Sequence, residues 1–279
     1  MRHPSVLIFD SGVGGLSVAQ CIRQRVPSAQ LTYLADNACF PYGDQAEATV
    51  ISRCVALVVE ALTRSAADVI VVACNTASTA VLPSLRAAVS VPVVGVVPAI
   101  KPASLVSENR RIGLLATPAT VTRPYLEHLI NEFAGDCRLE RVGHPDLVRW
   151  IEAWVAGQPL SERLLKDALA PFRRAEVDTV VLGCTHYPLI LDRLQAVLPE
   201  IRFWVDSGDA IARRTLAVLQ EAGLEIEALP ASAPPLNAVF FTGEVPTGIA
   251  GYLTHIGLAA RSVEGGWPGQ AHLTTVGSA

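Results

Sequence analysis

Apolar residues in this chain gather into short runs rich in Val, Ile and Leu, each followed by a polar turn and then by a stretch with helical spacing. Residues 4–10 predict a strand ending at Asp10, with Ser-Gly-Val-Gly-Gly at 11–15 and a helix from Leu16 to Arg25. Leu31–Asp36 predicts the next strand, the turn-rich residues 37–44 follow, and a long helix runs from Gln45 to Arg64. A third run from Val69 breaks at Cys74 into Asn75-Thr76, opening a helix that reaches Ser90. A fourth strand, Val91–Val97, is stopped by Pro98. The pattern restarts at Arg111: a strand Ile112–Ala116, Thr-Pro-Ala-Thr at 117–120, and a helix Val121–Phe133. A short strand around Cys137–Val142 follows, then a helix opened by His144-Pro145 and another from Ser161 to Arg174. Asp178–Tyr187 is a buried strand broken by Cys-Thr-His, with Pro188 at a helix start. After Asp206-Ser207-Gly208 a helix to about Ala222 and a strand Val239–Thr242 come next, and the small-residue tail from Gly265 reads as disordered. Strand and helix alternate throughout, which predicts parallel sheets covered by helices and joined by right-handed crossovers.

Two of these stretches are copies. Val-Val-Ala-Cys-Asn-Thr around Cys74 and Val-Leu-Gly-Cys-Thr-His around Cys184 align without a gap, and Asp10 and Thr117 precede their cysteines at similar distances. This reads as an internal duplication of about 105 to 110 residues. The expected architecture is α/β: two pseudo-symmetric open domains with mainly parallel sheets and the active site in the cleft between them. Residues 1–97 with 211–279 form the first domain and 98–210 the second. Each cysteine sits at the carboxyl end of a strand, where open parallel sheets bind ligands. A helix N-terminus there stabilises a thiolate, lowering a cysteine pKa from about 8.5 to as little as ~3.5. A single cysteine after an apolar run also reads as a small core residue. Two thiols on facing walls of one cleft have the geometry for two-base proton transfer at carbon, one removing a proton and the other returning one on the opposite face. Asp10 can serve the Cys74 side and His186 the other, although His186 also reads as a satisfied loop histidine.

Composition narrows the function. The chain has 279 residues, 51% of them hydrophobic, and a net charge of -4. No run of Lys or Arg marks a nucleic-acid partner. The first apolar run is too short for a signal peptide or membrane span, so the expectation is a cytoplasmic protein without membrane attachment. Six scattered cysteines without a Cys-x-x-Cys pair suggest reduced thiols, neither zinc site nor disulfide framework. Only Lys101 and Lys166 are lysines, and neither lies in a recognisable pyridoxal site. Gly12, Gly14 and Asp36 tempt a dinucleotide reading. Ser17 in place of Gly or Ala, and the Asp10 carboxylate in the same turn, argue against it. The glycines instead let backbone amides approach a small anion, with Asp10 and Ser11 aimed into the same crevice. Pro-Tyr-Gly at 41–43 is either a rigid turn or one that presents Tyr42 and Gly43 to a ligand.

Phe-Asp-Ser-Gly-Val-Gly-Gly-Leu-Ser at 9–17, Pro-Tyr-Gly at 41–43, Ala-Cys-Asn-Thr-Ala-Ser at 73–78, Ala-Thr-Pro-Ala-Thr at 116–120 and Gly-Cys-Thr-His-Tyr-Pro-Leu at 183–189 resemble the glutamate racemases. The ordered match spans nearly the whole chain. The resemblance implies a cofactor-independent, metal-free enzyme that interconverts L- and D-glutamate for peptidoglycan synthesis. It assigns the proton of D-glutamate to Cys74 and that of L-glutamate to Cys184, aided by Asp10, His186 and Glu152. Glu152 otherwise reads as helix surface. Substrate contacts carry over to Ser11, Tyr42, Gly43, Asn75, Thr76, Thr117, Thr120 and Thr185, and a homodimer is expected. Aspartate racemases of the wider superfamily tend to carry Glu where this chain has His186, which favours glutamate. Departures from the family pattern are peripheral: Arg149 and Trp150 near the presumed cleft, and the C-terminal tail.

Overall fold

The computed structural model describes residues 2–224, 226 and 229–269. They form two compact units, one made of residues up to Val96 with those from Gly208 onward, the other of Val97–Ser207. In chain order the first unit begins with β1 (Ser5–Asp10), α1 (Leu16–Arg25), β2 (Gln30–Ala35), α2 (Glu47–Arg64), β3 (Val69–Val72), α3 (Asn75–Ala88) and β4 (Val93–Val94). The second holds α4 (Ile100–Val106), β5 (Arg111–Ala116), α5 (Pro118–Val121), α6 (Pro124–Phe133), β6 (Arg138–Gly143), α7 (Leu147–Val155), α8 (Glu162–Arg174), β7 (Thr179–Leu182), α9 (Leu191–Val197) and β8 (Phe203–Val205). The chain then returns to the first unit with α10 (Gly208–Glu221), β9 (Leu236–Phe241), α11 (Ile249–His255) and β10 (Val263–Glu264).

The strand order is β10-β9-β2-β1-β3-β4 in the first unit and β6-β5-β7-β8 in the second. The paired strands run parallel. Without β9 and β10 the two orders are the same, β1 corresponding to β5 and β3 to β7. The duplicated sequence is therefore a duplicated sheet. In both, the order in which strands are added reverses between the first strand of the repeat and its thiol-bearing neighbour, and the crevice at such a switch point is where ligands enter an open α/β sheet.

Local sequence explains the elements. β3 (Val-Ile-Val-Val) and β7 (Thr-Val-Val-Leu) are apolar but for Thr179 and fully buried, as strands covered on both faces are. The edge strand β6, Arg-Leu-Glu-Arg-Val-Gly, is mostly half-buried with Arg138 and Arg141 exposed, and its charges guard the open edge. Along α2, Val50, Cys54, Leu57, Val58 and Ala61 form one apolar stripe, which packs with Ile70 and Val72 of β3 and Val81 and Leu85 of α3. In the second unit, Ile112, Leu114 and Ala116 of β5 pack with Leu126, Leu129 and Ile130 of α6.

Several expectations shift. The strand expected over Val91–Val97 shrinks to Val93–Val94, because Val96 turns its amide to Ser78 Oγ at 3.1 Å instead of to the ladder. The helix expected over Val121–Phe133 is broken: Pro124 starts α6, and Arg123 before it is extended. Gln45 and Ala46 are also extended, so α2 begins at Glu47. Pro188 opens only a 3-10 turn, Tyr187–Ile190, before α9. The elements α4, β8, α11 and β10 carry no expectation from sequence, being short. Gly265–Gly269, expected to be disordered, is folded: Trp267 is buried, stacks on Phe240 with ring centroids 5.1 Å apart, and donates its amide to Phe241 O at 3.0 Å. The remainder of that tail, residues 270–279, lies outside the described residues.

Candidate active site

The first unit brings Asp10, Ser11 and Cys74 to one sheet edge. β1 and β3 run in register, Phe9 opposite Val72, and the Ala73 amide donates to Phe9 O at 2.8 Å. Asp10 and Cys74 therefore leave their strands at the same level. The Asp10 carboxylate is fully buried and its Oδ1 accepts the Gly12 amide at 3.0 Å. Ser11 Oγ lies 3.8 Å from Cys74 Sγ. Cys74 is the N-cap of α3, its sulfur accepting the Ala77 amide at 3.5 Å. Amide donors and the helix dipole both stabilise negative charge on that sulfur. Gly15 is required here by close approach, since a Cβ would fall 2.9 Å from Asp10 Cβ and 2.9 Å from the Tyr33 hydroxyl. Tyr33 in turn donates to Gly12 O at 2.6 Å and holds the turn. That role is missed by sequence reading, because Tyr33 looks like any buried strand aromatic.

Asn75 and Thr76 follow Cys74 and are buried. Asn75 Oδ1 is enclosed with no hydrogen-bond partner among the described residues, a cost that a bound donor would remove. Tyr42 and Gly43 lie in a 3-10 turn, Tyr42–Asp44. The Tyr42 ring is buried and its hydroxyl donates to Asp36 Oδ2 at 2.6 Å. Burial and the Asp36 carboxylate push this phenol well above its ordinary pKa, so it remains a donor. Asp36 also takes Arg53 and Thr242, which leaves no free oxygen for the ribose contact of the dinucleotide reading.

The second unit brings Cys184, His186 and Glu152 together. Cys184 follows β7, whose residues pair with β5, and the Gly183 amide donates to Leu115 O at 2.7 Å. Cys184 Sγ lies 3.6 Å from His186 Nδ1, and His186 Nε2 lies 2.7 Å from Glu152 Oε1 on α7. Burial opposes charge on this ring, yet the hydrogen bonds to Cys184 and Glu152 outweigh it and raise His186 well above the ordinary histidine pKa. These two contacts favour the protonated form of the ring, which lies between Cys184 and Glu152. The two thiols are supported differently. Cys74 caps a helix, whereas Cys184 precedes only a 3-10 turn and relies on an imidazole. Thr117, just past β5, and Thr120 of α5 are buried with hydroxyls 3.0 Å apart, and Thr185 is buried beside Cys184 in sequence.

None of the six cysteines is in a disulfide. Among the described residues no group of three or more His, Cys, Asp and Glu is placed to hold a metal, and no helix is long and apolar enough to cross a membrane. The Lys101 ammonium lies over the Phe133 ring at 5.0 Å, and Lys166 pairs with Glu162.

Residues 16–215 match the family model described as Asp/Glu/Hydantoin racemase. The chain is 46% identical to a glutamate racemase of Shewanella piezotolerans over 255 residues, 91% of this chain and 95% of the relative. It is 50% identical to one from Shewanella baltica over 227 residues, 81% of this chain and 82% of the relative. Among solved structures, Escherichia coli glutamate racemase in complex with L-glutamate and the activator UDP-MurNAc-Ala superposes with a TM-score of 0.86 at 43% identity, covering 95% of this chain and 98% of that one. A glutamate racemase from Bacillus anthracis superposes with a TM-score of 0.78 at 29% identity, covering 95% and 97%. With half or nearly half of its residues shared over most of its length, and the same two-domain fold, this chain belongs to the Asp/Glu/hydantoin racemase family and, within it, to the glutamate racemases, isomerases of glutamate.

Proposed function

We propose that the chain interconverts L- and D-glutamate without a cofactor, Cys74 and Cys184 acting on opposite faces of the substrate Cα. One thiolate takes the Cα proton, leaving a carbanion whose charge spreads into the adjacent carboxylate. The opposite thiol donates its proton to the other face, and configuration inverts. Cys184 exchanges protons with the imidazole of His186, which Glu152 orients and holds charged, and Asp10 serves Cys74 in the same way. The family resemblance assigns D-glutamate to Cys74 and L-glutamate to Cys184. The observation that carries the reading is the repetition: each sheet ends its thiol-bearing strand beside its first strand with a buried sulfur.

The substrate's charged groups need matching partners. Asn75 Oδ1, buried without a partner among the described residues, suits the α-ammonium. Ser11, Thr76, Thr117, Thr120 and Thr185 offer hydroxyls and amides for the carboxylates. The Tyr42 hydroxyl is committed to Asp36, so contacts from the Tyr42–Gly43 turn fall to its backbone. Both lysines are engaged by other groups, which supports chemistry without a Schiff base. In this reading the product D-glutamate feeds peptidoglycan synthesis and the enzyme is a cytoplasmic homodimer, both resting on the resemblance. UDP-MurNAc-Ala, named as activator of the E. coli relative, is the effector to assay.

Solvent-deuterium incorporation at Cα of each enantiomer tests this. Wild type racemises and exchanges both without pyridoxal phosphate. Cys74→Ser and Cys184→Ser each lose racemisation by about 100-fold or more, and residual exchange favours L-glutamate in the first and D-glutamate in the second. Full racemisation retained by Cys184→Ser sinks the proposal. Aspartate in the same assay separates glutamate from shorter dicarboxylates.

A further inference from the structure

Asp36 leaves β2 next to the proposed site, its amide donating to Asp10 O at 2.9 Å. Its side chain is fully buried, and among the described residues its hydrogen bonds go to Tyr42, Arg53 and Thr242 and to neither thiol. Four donors converge on it. Arg53 of α2 approaches side-on, Nε to Oδ2 at 2.6 Å and a terminal nitrogen to Oδ1 at 2.5 Å. The Tyr42 hydroxyl reaches Oδ2 at 2.6 Å, and Thr242 Oγ1, just past β9, reaches Oδ1 at 2.7 Å. Four donors fill the acceptor capacity of a carboxylate, so this buried charge is both paired and hydrogen-bonded.

The donors come from three separate segments, and one of them is the turn assigned to substrate. The segment after β9 also bonds the start of the loop that carries the turn. Thr242 Oγ1 accepts the Ala38 amide at 3.1 Å, and Asn37 exchanges bonds with the chain after β9, accepting the Gly243 amide at 2.7 Å and donating to Glu244 O at 2.7 Å. Residues 37–44 are thereby held at Asp36 and Asn37 on one side and Tyr42 on the other. The Tyr42 ring packs against Phe9 and within the same apolar cluster as Cys74. Displacing Tyr42 therefore moves the wall beside the thiol together with the turn.

We propose that Asp36, clamped by Arg53 and Thr242, is a positioning residue that sets the Tyr42–Gly43 turn at the distance glutamate requires. The proposal rests on the reading of that turn as a substrate contact. Asp36 carries out no proton transfer and meets no substrate, so its loss weakens binding more than turnover.

The test compares Tyr42→Phe, Thr242→Val, Arg53→Lys, Arg53→Met and Asp36→Asn by steady-state kinetics in both directions and by amide hydrogen exchange over residues 40–45. Losing both Arg53 hydrogen bonds, or the charge that receives them, should raise KM about ten-fold or more for both enantiomers in Arg53→Met and Asp36→Asn, with kcat within about three-fold. Arg53→Lys should recover part of the loss. Exchange at residues 40–45 should accelerate in the same order. Tyr42→Phe removes a single oxygen and keeps three donors on Asp36, so it stays informative if the larger changes unfold the protein. Folded variants, Tyr42→Phe among them, with KM within two-fold of wild type and unchanged exchange would overturn the proposal. If wild type fails to racemise glutamate, the functional reading falls, and the exchange measurement still decides whether Asp36 holds the turn.

Discussion

His186 bridges Cys184 and Glu152: its Nε2 lies 2.7 Å from Glu152 Oε1 while its Nδ1 faces Cys184 Sγ at 3.6 Å. The carboxylate comes from α7 and the thiol from the end of β7, so one ring couples a helix to the proposed chemistry. Glu152→Gln keeps the shape and removes the charge. The His186 pKa should fall, and the limb of the pH–rate profile that reports this ring should move to lower pH, with kcat reduced more from L-glutamate than from D-glutamate. NMR titration of the ring across pH 5 to 10 measures the shift directly. An unmoved titration would remove Glu152 from the mechanism.

The same ring makes stability depend on pH. Its folded pKa lies above the unfolded value, which is about 6.5. The stability it contributes is therefore fully present below about pH 6.5 and is lost as pH rises through the folded pKa. Wild type should lose thermal stability over that interval relative to His186→Asn, whose curve lacks this contribution. Parallel melting curves for the two proteins from pH 6 to pH 10 would show that the ring is not charged by folding.

Gly183 stands where the first repeat has Ala73, and the difference is steric. A Cβ at Gly183 would fall 2.9 Å from Leu114 Cδ1, 3.1 Å from Ala116 Cβ and 3.1 Å from Leu115 O. The last contact is backbone and cannot give way. Gly183→Ala should cost about 1–3 kcal/mol of unfolding free energy, as overpacking does, and should reduce turnover by displacing Cys184. Urea unfolding and kcat read the two effects. A variant as stable and as fast as wild type contradicts the geometry.

Trp267 seals the C-terminal end of the first sheet. It stacks on Phe240, the Arg64 guanidinium lies 5.3 Å from its ring centre, and Arg64 donates to Pro268 O at 3.0 Å. Trp267→Ala should destabilise the protein by roughly 3–5 kcal/mol. A loss below about 1 kcal/mol in denaturant unfolding would mean that the segment does not stay seated.

The alternation of strand and helix, the doubled sheet and both thiols are legible in the sequence because they depend on neighbours a few positions apart. Period-two and period-3.6 apolar patterns, and a break from Val and Leu into Cys, are local signals. Cys74 and Cys184 stand out as a pair because the duplication repeats that local signal. Glu152 gives no such sign: its partner His186 is 34 positions away, and on its own helix it reads as surface. The role proposed for it comes only from resemblance, and its contact with His186 only from three dimensions. Asp36 is the clearer case. From sequence it invites a ribose, while the fold surrounds it with Arg53 from a different helix and Thr242 from 206 residues downstream. Local propensity sets where strands end and what they carry there. Tertiary structure decides which buried polar groups meet, because a buried charge needs donors and only the crossing of distant segments supplies them.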